Sequence, residues 1–204
     1  MSDYKTPYAQ PSISNVFHHE RYLVRRKIFT LFGAAFHIYD PSGSVAFYSK
    51  QKAFKLKEDI TVFADEEKQR PLLRIQAQSI IDFSAAYTVV DVATSEAVGK
   101  LQRKGLKSIL KDEWNILDPA GQQLGLIKED SALMATLRRF ISNLIPQSYN
   151  IEMHGQPAGT IKQNFNPFVL KLNVDLRSDP GRQFDRRLAL AAVVLLLAIE
   201  GRQG

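Results

Sequence analysis

The chain predicts a mainly β fold: a closed antiparallel barrel of about twelve strands enclosing a central hydrophobic C-terminal helix. Three observations point there. Leu188 to Ile199 is an unbroken apolar run, LALAAVVLLLAI. Between Phe36 and Ile161 an alternating apolar pattern recurs, interrupted each time by a turn bearing Gly, Asp or Ser. After three of these turns a Gly follows an apolar residue, at Val98-Gly99, Leu124-Gly125 and Ala158-Gly159.

The apolar run decides the architecture. Its Ala and Leu content favours helix over strand. A helix apolar on every side must be surrounded on every side, by protein or by lipid. Twelve residues rise only about 18 Å as a helix, whereas a bilayer core needs about 30 Å. The chain must therefore supply the sheath itself. The spacing predicts a helix over about 182–200, announced by Asp179-Pro180-Gly181 or alternatively by Asp185, with Gly201 at its C-cap.

The strands follow from period-two alternation. Four hairpins read FHIYDPSGSVAFYSK from Phe36, YTVVDVATSEAVGKLQRK from Tyr87, WNILDPAGQQLGLIKED from Trp114 and YNIEMHGQPAGTIKQN from Tyr149. Asp40-Pro41-Ser42-Gly43 and Asp118-Pro119-Ala120-Gly121 have Pro presetting φ and Gly closing the bend. Ile60–Asp65 and Leu72–Gln78 form a further pair, and Arg21–Ile28 and Phe168–Asp175 add a strand at each end. Gly inside a strand weakens it and marks a close backbone approach or a barrel bend. A helix within the barrel would account for both. Ser131–Leu144 places Leu133, Leu137, Phe140, Ile141 and Leu144 on one helical face before Pro146, and Leu106–Lys111 reads as a short helical connector. Residues 1–16 read as a disordered arm and 17–204 as a single domain. A barrel removes exposed sheet edges, and its lumen gives the helix its sheath.

Composition sets outer limits on function. The chain has 204 residues with 45% hydrophobic content, enough for a substantial core. Cysteine is absent, so disulfides and thiolate metal sites are excluded. The first thirty residues lack a secretory apolar core, and no stretch reaches the ~20 apolar residues of a spanning helix, which predicts a cytoplasmic protein. A net charge of +6 suits an anionic partner and equally suits simple solubility.

The chain also resembles a known family. The hairpins, the segment Arg103-Lys104-Gly105-Leu106-Lys107-Ser108-Ile109-Leu110-Lys111-Asp112-Glu113-Trp114, and Leu170-Lys171-Leu172-Asn173-Val174-Asp175 leading to Asp185-Arg186-Arg187 and the apolar run are similar to the tubby C-terminal-like superfamily. Within it they resemble the LURP-one-related proteins and, more distantly, the phospholipid scramblases. The resemblance covers roughly residues 20 to 202. It implies a twelve-stranded barrel around a hydrophobic helix, and binding of phosphoinositide headgroups through basic residues. The scramblases carry palmitoylated cysteines and a carboxylate-rich calcium segment. This chain has no cysteine, and Asn173-Val174-Asp175-Leu176-Arg177-Ser178-Asp179 offers only two carboxylates without calcium-loop spacing.

Catalytic signatures are absent. No G-x-S-x-G, P-loop or G-x-G-x-x-G motif occurs. His18, His19, His37 and His154 have no catalytic partner at a useful spacing, and His18-His19-Glu20 would splay to opposite faces of a strand. Arg186 and Arg187 are expected to close the buried run and pair with Asp185 or Asp175. We therefore expect no enzyme, no cofactor and no metal. The functional signal is basic. Lys100, Arg103, Lys104, Lys107 and Lys111 are the expected headgroup-binding residues. Arg21, Arg25, Arg26 and Lys27 form a second cluster, and Lys50, Lys52, Lys55 and Lys57 a third, with a solubilising rim as the plain alternative for all three. The expected function is a non-enzymatic module that binds phosphoinositide or another acidic phospholipid peripherally, at the inner face of the membrane. Its rivals are a scramblase-like membrane protein and a protein-interaction scaffold. Aromatics at alternating core positions, rather than among the cations, weigh against nucleic acid.

Overall fold

The computed structural model describes residues 16–29, 33–51, 59–81, 84–104, 113–130, 147–164 and 170–200. Twelve strands are present among them. They are β1 (Arg21–Phe29), β2 (Gly33–Tyr39), β3 (Val45–Gln51), β4 (Ile60–Phe63), β5 (Pro71–Ile81), β6 (Ser84–Asp91), β7 (Ala97–Arg103), β8 (Glu113–Leu117), β9 (Gln123–Glu129), β10 (Ser148–Met153), β11 (Gln156–Gln163) and β12 (Leu170–Asp175). Each is antiparallel to its neighbour in sequence, and β12 pairs with β1 to close the barrel. One helix, α1 (Arg186–Glu200), follows. The predicted helices Ser131–Leu144 and Leu106–Lys111, and the arm up to residue 15, lie outside the described residues.

Alternation builds the lumen. Val24, Phe36, Phe47, Val62, Ile75, Val89, Leu101, Ile116, Ile127, Ile151, Ile161 and Val174 point inward and are almost fully buried. Their outward neighbours are half-buried or exposed except on β2 and β3, where Ala35, Ala46 and Tyr48 are also buried. Every residue of α1 from Leu188 to Ala198 is at most 3% exposed, so the helix is the core of the barrel. Each fully buried Leu or Val contributes about 1.5–3 kcal/mol.

The turns follow the Asp-Pro-x-Gly chemistry. Asp40 Oδ1 accepts from the Ser42 and Ser44 backbone amides at 2.9 and 3.0 Å, and Gly43 takes φ 85°. Gly121 does the same at φ 95°, with Gln122 N donating to Asp118 Oδ1 at 2.8 Å. The strand glycines answer close approach of backbone, and one of them answers the helix as well. A Cβ on Gly99 would lie 2.8 Å from Leu188 Cδ2 of α1 and 2.7 Å from the Leu117 carbonyl oxygen. At Gly125 and Gly159 the obstacles are instead the carbonyls of Glu152 and Asp175 and the side chains of Met153 and Leu176. A backbone carbonyl thus crowds all three glycines, and at Gly99 the helix adds Leu188 to it.

The helix starts at Arg186, after Asp185. Asp185 Oδ1 accepts from Arg187 N at 2.8 Å and its carbonyl from Ala189 N at 2.9 Å, the geometry of an N-cap. Asp179-Pro180 belongs to the turn before it.

Candidate functional site

The expected headgroup cluster is divided by strand geometry. On β7, Gly99 and Leu101 are buried against the lumen, and Arg103 continues that parity with its Nε fully buried. Arg103 lies directly opposite lumen-facing Trp114. Lys100 and Lys104 are on the outer parity. Lys104 Nζ is bonded to Glu113 Oε1 at 2.6 Å, and Lys100 Nζ reaches over the 118–122 turn beside Gly121. Lys107 and Lys111 lie outside the described residues. Arg103 is thereby parted from Lys100 and Lys104, which share the outer parity, because a strand sends consecutive side chains to opposite faces.

The second cluster fares differently. Arg26 has lumen parity, but Arg21, Arg25 and Lys27 are exposed on the outer face of β1. Register then adds cations from two strands remote in sequence. Lys171 of β12 is directly opposite Arg25, and Lys162 of β11 is opposite Asn173, two residues along β12 from Lys171. Exposed Lys162 and half-buried Lys171 belonged to no sequence cluster, because only strand pairing brings them beside β1. Arg25 lies over the Tyr39 ring at 4.9 Å. No ion pair engages Arg25, Lys162 or Lys171 among the described residues. Further along the wall the charge is compensated: Arg21 faces Asp175, whose carboxylate is bonded to Arg177 at 2.6 Å. The Arg177 hydrogen bonds hold the Asp175 carboxyl below its usual range. Of the third cluster, Lys50 is exposed on β3, and Lys52, Lys55 and Lys57 lie outside the described residues.

The mouth at the N-terminus of α1 holds a cavity of about 430 Å³, lined by Phe17, His18, Asp91, Arg182, Phe184 and Arg187 among others. Its charges answer one another. Arg187 is bonded to Asp185 at 2.7 Å, to Asp91 at 2.9 Å and to Glu96 at 3.4 Å, and its guanidinium is held more firmly protonated, first by the Asp185 hydrogen bonds. Arg186 and Asp179 form a buried pair at 2.8 Å. Asp179 also accepts from the amides of Gln183 and Phe184. The expected partners of the two arginines thus hold for Arg187 with Asp185; Arg186 takes Asp179 instead, and Asp175 is occupied by Arg177. Both carboxylates of the 173–179 segment are consequently tied to arginines. The two adjacent histidines diverge: His18 meets Arg182 at 3.2 Å, and His19 packs edge-on against Tyr22. This mouth reads as a clasp between wall and helix.

One comparison with known proteins bears on this chain. Residues 45–197 match the family model of the LURP-one-related proteins. This chain belongs to the LURP-one-related family. The matched span runs from the start of β3 into α1, so β1 and β2 of this LURP-one-related barrel lie outside it. Neither the curated proteins nor the solved structures yield a match.

Proposed function

We propose that this LURP-one-related protein is a non-enzymatic lipid-binding module that attaches peripherally to acidic phospholipids, phosphoinositides among them, at the cytoplasmic face of a membrane. One observation carries the reading: among the described residues, cations stand on the outer wall without bonded carboxylates, while the long apolar segment is consumed inside the barrel. Arg25, Lys100, Lys162 and Lys171 are such cations. An anionic leaflet attracts each Lys or Arg near its surface by about 1 kcal/mol, within a Debye length. Family membership supports a lipid ligand.

The buried helix favours this reading over a scramblase-like one. No described helix is long and apolar enough to cross a membrane, and extracting α1 would expose residues that are now at most 3% accessible. Co-sedimentation of the full-length protein with neutral vesicles and with vesicles carrying acidic lipids tests the proposal. Binding only to acidic vesicles, weakening as salt rises, is expected. Equal binding to neutral vesicles, or none to either, would overturn it, and a stoichiometric protein partner without lipid preference would favour the scaffold.

A further inference from the structure

We propose that the outer wall formed by β11, β12 and β1 is the membrane-docking surface, and that the barrel lies on its side against an anionic bilayer with Arg25, Lys27, Lys162 and Lys171 facing it. The inference rests on the lipid-binding reading and assigns it a place.

The argument begins with a local conflict. Arg25 and Lys171 are direct cross-strand partners on the same outward face. Such partners have Cβ atoms about 4.5–5.5 Å apart, and like charges there are destabilising. Lys162 stands diagonally beyond Lys171, and Lys27 lies two residues beyond Arg25 on the same face. Among the described residues Arg25, Lys162 and Lys171 have no ion pair, whereas at the far end of the wall Asp175 meets Arg21 and Arg177. Repulsion between Arg25 and Lys171 is relieved when anionic headgroups come between them, so the unbound protein carries a cost that binding removes.

Shape and neighbours choose the partner. The cations span three adjacent strands along a barrel side, which suits an extended anionic surface. The nearby rings are engaged: Tyr39 lies beneath Arg25, and Tyr48 is buried against His37. Among the described residues no free ring face stands beside these cations as a stacking platform for bases, which disfavours single-stranded nucleic acid. The expected Lys100 surface lacks this convergence.

The test uses the full-length protein with phosphatidylcholine vesicles, alone or carrying phosphatidylserine or a phosphoinositide, at two salt concentrations. Lys171→Glu and Arg25→Glu are compared with Arg74→Glu, which changes net charge equally on the outer face of β5, and with Lys100→Glu. At about fivefold per cation, each wall reversal is expected to weaken acidic-vesicle binding more than tenfold. Lys171→Glu should also keep or raise the melting temperature, since it turns a repulsive cross-strand pair into an attractive one; weakened binding then cannot come from misfolding. Arg74→Glu should weaken binding less than threefold. If the parent binds acidic vesicles but Lys171→Glu binds equally well, or Lys100→Glu alone loses binding, the wall is overturned and the lipid reading stands. If the parent binds no vesicle, both fail. Binding to a single-stranded oligonucleotide, abolished by the wall variants and without vesicle binding, would reassign the surface to nucleic acid and overturn the proposal.

Discussion

At the scale of single residues, burial and charge pairing make separable demands. Tyr22 is 3% exposed, and its hydroxyl donates to the Val16 carbonyl at 3.0 Å. Desolvation by burial pushes its phenol well above the ordinary value of 10.0, outweighing the cations of Arg186 and Arg182. The unfolded chain releases this proton near the ordinary value while the folded chain keeps it. The stabilisation is therefore complete below that pH and is lost as pH rises toward the folded value. Melting temperatures between about pH 9.5 and 11.5 should fall more steeply for the parent than for Tyr22→Phe; parallel curves would contradict the assignment. Asp179, 5% exposed, is paired with equally buried Arg186. Removing one partner of a buried pair leaves an uncompensated charge, so Asp179→Ala should cost about 3–5 kcal/mol in urea denaturation. Asp179→Ala with Arg186→Met should recover part of that loss, because the stranded charge is gone.

Elements carry the next set of constraints. The helix α1 begins with Arg186 and Arg187, two cations at the positive end of the macrodipole. They are accommodated because Asp179, Asp185, Asp91 and Glu96 surround them, which binds the helix start to the turn between β6 and β7. Along its length the helix depends on apolar contact alone. Leu195→Ala should cost about 2–5 kcal/mol, and Leu195→Asp should abolish cooperative folding, because it buries a charge with no partner. An Asp variant that melts like the parent would remove the helix from the barrel centre. On the wall, Gly99→Ala places a methyl against both the Leu117 carbonyl and Leu188. Backbone cannot move aside as a side-chain end can, so we expect a loss of about 1–3 kcal/mol by the same measurement.

For the whole molecule, closure is the organising fact, and it divides what was readable from what was not. Twelve strands, their antiparallel order and the enclosed helix were legible because each rests on a local pattern. Alternation marks each strand, Asp-Pro-x-Gly marks a turn, and an apolar run too short for lipid demands a protein sheath. The proposed docking wall was not legible in the same way. Reading Lys100 to Lys111 as one cluster follows the order of the chain, but a strand sends Lys100 outward and Arg103 toward the lumen, and Lys104 finds Glu113 on the next strand. Likewise the sequence suggested Asp185 or Asp175 for Arg186, and the turn at 176–185 brings Asp179 to it instead. The sequence by itself determined that this protein is a closed barrel about its own C-terminal helix, since periodicity and hydrophobic burial act locally. Only the tertiary structure decided which cations share a wall, because joining β12 to β1 sets a register that brings Lys171 opposite Arg25 and Lys162 near them. No local pattern encodes that meeting of chain ends.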